Sequence, residues 1–246
     1  MGLGCKRCKL KAKIVQTNNC SNDVPLTFGL AFVGGYADAT TFVLAKTFTG
    51  HVTGNLVLGA ISVASHDWRA MLGRLSAIVT FMIGVLLSTL LAHSLKARPS
   101  WRLLPTIMGM EAILIVAASL TFASDVSVRV QIFVIVLSLA LGLQNGAFRC
   151  AGGISVHTTY LTGMITSLIT TEVDKYTSRT VLQPTTSSDL TIRLLSGIWI
   201  AFVLGAGVGA ALAFHFKELG MLGAALILIT LTLRDSRSSQ PADALR

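Results

Sequence analysis

Two runs of this 246-residue chain, residues 72–95 and 192–216, leave few architectures open. Each is long and apolar enough to cross a hydrocarbon core about 30 Å thick, which takes about 20 helical residues. Inside a bilayer no water satisfies backbone polar groups, so helices and closed barrels are the only spanning structures. The strict alternation of barrel strands is absent. The composition agrees, with 52% hydrophobic and 13% charged residues and a mean hydropathy of +0.70. The chain is therefore expected to be an all-α integral membrane protein.

Further apolar runs at about 25–45, 103–123, 130–148 and 219–233 complete a set of six expected transmembrane helices. Between them lies a polar break, FTGHVTGNLVLG at 48–59, echoed by HTTYLTGMITSL at 157–168. Thr49, Thr53 and Gly54 match Thr158, Thr162 and Gly163 at an offset of 109 residues. The neighbouring GYADA (35–39) and GLQNG (142–146) match at 107, and residues 81–96 match 202–217 at 121. The apolar stretches after the two breaks are too short to span comfortably. The sequence thus predicts two short re-entrant or broken helical segments added to the six spans, as an internal repeat.

Charge sets the expected orientation. Lys6, Arg7, Lys9, Lys11 and Lys13 precede the first span, and Lys96, Arg98 and Arg102 lie between two others. Re-entrant segments put both clusters, with Arg234 and Arg237, on the inner side, as the positive-inside rule favours. Three spans per half then run in opposite directions, an inverted 3+3 repeat. The expected divisions are a basic cytoplasmic tail (1–24), two membrane repeats (25–123 and 126–233) and a polar cytoplasmic tail (234–246). The net charge of +9 suits anionic lipid headgroups, and no aromatic-interleaved basic motif points to nucleic acid. The first apolar run reads as a span rather than a cleavable signal.

Polar breaks are where such chains place their sites. A helix ending inside the membrane leaves orphan N–H groups and a positive dipole end facing a cavity. Thr49, His51, Thr53, Gly54 and Asn55, with Thr158, Thr162 and Gly163, are the candidate solute-binding residues. Helix capping and tight packing are the competing reading. Asp38 is a carboxylate about halfway along a span, where charge is costly and faces a cavity or a partner. Its repeat mate is Asn145, next to Gln144, so these three join the candidates. Asp38 could instead be structural, bonded to Thr40, Thr41 or His51. Asp38 and Glu111 are the candidates for proton coupling, with Asp38 holding the proton and the helix tips the solute. Gly84-x-x-x-Ser88 and Gly205-x-x-x-Gly209 read as small-residue packing stripes.

Cys5-x-x-Cys8 could bind metal or be acylated, but a lone CxxC in a basic tail reads better as plain tail. Gly2 suggests a myristoylation site, against which Lys6 stands where Ser or Thr is wanted. No metal site or cofactor is expected, and no nucleophile, acid and base set suggests an enzyme.

GYADA, HVTGNLVLG (51–59), MEAIL (110–114), GLQNGAFR (142–149) and TTYLTGM (158–164) together resemble the YoaK family. That is a widespread group of multi-spanning membrane proteins carrying a domain of unknown function. The resemblance covers about residues 26–233 and implies an integral membrane protein, with no settled activity. Arg149-Cys150 departs from it, standing where a more basic pair is expected. The expected function is a small-solute or ion transporter or channel. The alternative is a non-transporting membrane scaffold or accessory subunit. Its expected setting is the plasma membrane with both termini cytoplasmic, and its expected partners are lipid, an unidentified small solute and a second copy of the chain.

Overall fold

The computed structural model of the protein describes residues 24–95, 103–120, 126–148, 150–151, 154–155, 161–177 and 186–238. In chain order they form α1 (Val24–Ala45), α2 (Val52–Ala64), α3 (Trp68–Leu95), α4 (Leu103–Ser119) and α5 (Val126–Ala147). A small pair follows, β1 (Cys150–Ala151) and β2 (Ile154–Ser155), and then α6 (Leu161–Thr177) and α7 (Thr186–Phe216). A 3-10 turn (Lys217–Met221) leads into α8 (Leu222–Ser238). The strand pair is antiparallel, with Cys150 opposite Ser155 and Ala151 opposite Ile154. Two-residue strands are too short for alternation to announce; the available signal was Gly152-Gly153, a hairpin dipeptide.

The expected set of six spans plus two re-entrant segments in a 3+3 repeat is corrected. Among the described residues four stretches are long and apolar enough to cross a membrane: Val24–Ala45, Trp68–Ser94, Val126–Ala147 and Asp189–Asp235. Helices α2 and α4 are apolar but have only 13 and 17 residues, roughly 20 and 25 Å of helix. The two last expected spans belong to one helical stretch of 47 residues, carried through the 3-10 turn at Lys217–Met221. Hydropathy counts apolar residues, and it registers neither where a helix stops nor whether a polar pair such as Lys217-Glu218 ends a helical run. Lys217 is where the path changes, with a left-handed φ of 51°.

Helix α1 packs along α7 and α3 along α5, while α4 lies against both α5 and α8. Helix α2 rests on α3, and α6 on α7. The main core gathers Leu30 and Tyr36 of α1, Met108 and Ile115 of α4, Phe133 and Leu137 of α5, Ile198 of α7 and Leu228 of α8. On the outside of α3, Leu72, Leu75, Val79, Met82, Leu86 and Leu90 are exposed at three- and four-residue spacing. In a chain this apolar, that stripe is the surface that meets lipid.

Glycines set the closest helix contacts. A Cβ on Gly35 would run into the Phe202 carbonyl, and one on Gly205 into the Phe32 carbonyl, so α1 and α7 touch backbone to backbone. In α3 and α5, a Cβ on Gly142 would meet the Phe81 carbonyl and one on Gly84 the Leu139 carbonyl. Without a hydrophobic drive between helices in lipid, such close approach is what holds them.

Candidate functional site

The linker between α1 and α2, residues 46–51, is short and buried enough that its backbone polar groups need partners within the protein. Asp38 supplies one. Its Oδ1 accepts from the Thr49 N–H at 2.9 Å, the Thr49 hydroxyl at 2.9 Å and the Gly50 N–H at 2.7 Å. Its Oδ2 is buried and has no hydrogen-bond partner among the described residues. Asn55, in the first turn of α2, holds the same linker from the other end. Its side-chain N–H donates to the Phe48 carbonyl at 2.7 Å, and its Oδ1 accepts from the Phe48 N–H at 2.9 Å. Asp38 and Asn55 are 4% and 1% exposed, so neither bond set competes with water.

This clamp turns the remaining polar residues toward an open cleft of ≈ 430 Å³, lined by Phe42, Phe48, His51, Thr53, Gly54, Val57 and Leu58. Phe42 and Phe48 stack with ring centres 4.6 Å apart, and His51 sits 5.4 Å from Phe48. The Lys46 ammonium lies 5.5 Å from the Phe42 ring centre, a cation–π distance. His51 stands at the N-cap of α2 and makes no side-chain cap bond. The Val52 N–H closes on the Gly50 carbonyl at 3.1 Å and the Asn55 N–H on the His51 carbonyl at 3.0 Å. Thr53 and Gly54 line the cleft in the first turn of α2, at the positive end of the helix. The arrangement can hold an electronegative atom at the helix end and an apolar group against the rings.

A third support was not legible as such in the sequence. Arg74, early in α3, donates from Nη1 to the Leu58 carbonyl at 2.7 Å and to the Ser62 hydroxyl, and from Nη2 to the Lys46 carbonyl at 3.5 Å. It straps α2 and the linker to α3. The signal for it was an arginine a few residues inside an apolar run. Phe42 and Phe48 likewise carry no distinct signal, because aromatic residues beside a polar break look like ordinary core.

The structure thus brings Asp38, Thr49, His51, Thr53, Gly54 and Asn55 to one place. Thr40 donates to the Gly209 carbonyl at 3.2 Å, and Thr41 donates to the backbone carbonyls of Ala37 at 2.9 Å and Asp38 at 3.2 Å, neither to the Asp38 carboxylate. Gln144, buried in α5, donates to the Leu30 carbonyl of α1 at 3.3 Å. Leu30 precedes Asp38 by two helical turns, about 12 Å along the axis. Asn145 donates back to the Leu141 carbonyl of its own helix at 2.9 Å. Gly163 is half-buried in α6. Thr158 and the side chain of Thr162 lie outside the described residues, as do the basic tail with Cys5 and Cys8 and the loop carrying Lys96, Arg98 and Arg102. Glu111 is fully buried in α4 and bonds to none of the linker residues. Among the described residues no group of three or more His, Cys, Asp or Glu side chains could hold a metal ion.

Long apolar helices with lipid-facing outer stripes and a polar linker buried between them define a multi-pass integral membrane protein. The chain belongs to the family described as "Protein of unknown function (DUF1275)", whose model matches residues 26–233. It is 30% identical over 145 residues to the UPF0700 transmembrane protein YoaK of Bacillus subtilis (strain 168). That alignment takes in 58% of this chain and 62% of YoaK, so it spans less than two thirds of that relative. No solved structure matches the chain.

Proposed function

We propose that this protein moves a small solute across the membrane and that the cleft at the start of α2 is part of its path. The supporting observation is the uncapped first turn of α2, opening with His51 and Thr53 beside the Phe42–Phe48 stack. The reading assigns no catalysis. The test is a flux screen of purified protein in liposomes against panels of ions and small metabolites. Flux that is lost in Thr53→Val and Gly54→Leu supports it; no flux of any panel member above protein-free liposomes tells against it.

One observation favours a second reading, a membrane scaffold or accessory subunit. Asp38 Oδ1 and both ends of the Asn55 amide are engaged by linker backbone, as a purely structural break requires. Copurification of a stable membrane partner, together with absent flux, would favour that reading. We further propose an internal repeat. The Gly35–Phe202 contact has its counterpart in Gly142–Phe81, and Gly205–Phe32 in Gly84–Leu139, each related by the sequence offsets of 107 and 121. The same proposal has both termini on the cytoplasmic side of a plasma membrane, with the N-terminal basic residues near anionic headgroups; the basic residues of both tails support it. Self-association through lipid-facing helices is part of the same proposal.

A further inference from the structure

Glu111 sits near the middle of α4 on the face that carries Met108 and Ile115, three and four residues away and buried in the main core. The residue is 0% exposed, and among the described residues neither of its carboxyl oxygens has a hydrogen-bond partner. Helix α4 packs against α5, α8, the 3-10 turn and α3. Arg129 of α5 is paired with Glu218 of the turn at 3.0 Å, and Lys217 of the turn is exposed. Arg234, Asp235 and Arg237 lie at the C-terminal end of α8. On α3, Arg69 and His93 are exposed and Arg74 is engaged with α2. No described side chain donates to Glu111.

An ionised carboxylate in such surroundings has neither a counter-charge nor a donor, and burial of that kind is among the costliest arrangements a protein interior can hold. A hard cation would need several oxygen ligands, and no cluster of acidic side chains accompanies Glu111 among the described residues. A proton needs only the one carboxyl. We propose that Glu111 is a proton-binding site of the protein interior, loaded and released as its surroundings open and close. Asp38 differs from Glu111 in that its Oδ1 is engaged, accepting from three donors of the linker. A buried proton site of this kind would serve the transport reading, but it stands or falls separately from it.

The test reads protonation directly, without any flux. Infrared spectra of the protein in lipid at neutral pH are expected to show the carbonyl stretch of a protonated, non-hydrogen-bonded carboxylic acid. That band is expected to disappear in Glu111→Gln and to give way to carboxylate bands as pH is raised. A band that survives in Glu111→Gln, or its absence from the unaltered protein, overturns the proposal. Should Glu111→Gln not fold, labelling of the unaltered protein decides. A lipid-soluble carbodiimide adds across the acid O–H: the carboxyl oxygen bonds the carbodiimide carbon, the proton passes to its nitrogen, and nothing leaves. Peptide mapping is expected to find the adduct on Glu111 and to find it diminished at alkaline pH. Labelling at Asp38 in its place, or no labelling of Glu111 at any pH, overturns the proposal. A silent flux screen with Glu111 labelled would reject transport and leave the proton site standing.

Discussion

Asp38 and Asn55 do the same work from two helices: each gives a short buried linker the acceptors or donors that water would otherwise supply. Hydrogen bonds to a charged acceptor contribute about 1.5–3 kcal/mol each, and a buried donor left unpaired costs about 1–3 kcal/mol. Asp38→Ala strands the Thr49 and Gly50 donors and is expected to destabilise by on the order of 3 kcal/mol. Asp38→Asn keeps an acceptor and is expected to cost roughly 1 kcal/mol. Thermal unfolding in detergent checks the ranking, and equal midpoints for the two variants would show that Oδ1 does not anchor the linker. Asn55→Asp places an oxygen against the Phe48 carbonyl, where the amide now donates at 2.7 Å. It is expected to be worse than its near-identical shape suggests, by about 1–3 kcal/mol in the same measurement.

At the scale of elements, α2 is a short helix whose outer face, with Leu56, Val57 and Ile61, is exposed. Its attachment therefore rests heavily on α3 and on the Arg74 strap. Arg74→Met keeps the apolar stem and removes the donors. Hydrogen exchange is expected to accelerate across Val57–Ala64 and to stay unchanged in α5; slow exchange in both would assign Arg74 no such role. Close helix contact supplies a second prediction at this scale. Gly205→Leu forces a side chain into the Phe32 backbone and is expected to lose the folded protein in detergent, because a carbonyl in a helix cannot step aside. Gly207→Ala, two residues on with nothing within 4 Å of its missing Cβ, is expected to leave size-exclusion behaviour unaltered. Equal behaviour of the two variants would mean α1 and α7 do not touch as described.

For the whole molecule, the orientation proposal makes the tail cysteines informative. In a Cys150→Ser background, a membrane-impermeant maleimide applied to intact cells is expected to leave Cys5, Cys8 and Cys20 unlabelled. Inverted vesicles are expected to label them. Labelling from outside would reverse the assignment of the termini.

Membrane residence and helical character could be read from the sequence by itself. Transfer of each side chain into lipid is largely a local property, and it adds along the chain into runs such as 72–95 whatever the rest of the molecule does. The polar break at 48–59 was visible for the same reason, as was the strangeness of Asp38 and Glu111 in apolar company. Only the tertiary structure decided what those residues meet. That depends on helix phase, on where α2 and α4 stop, and on the path of the linker between α1 and α2, none of which apolarity records. So the Asp38 carboxylate meets Thr49 and Gly50 rather than the hydroxyls of Thr40 and Thr41 or the amides of α5, and Arg74 reaches out of its run to hold α2. Glu111, as apolar in setting as any span residue, finds no partner among the described residues because the helices packed around it bring it no donor.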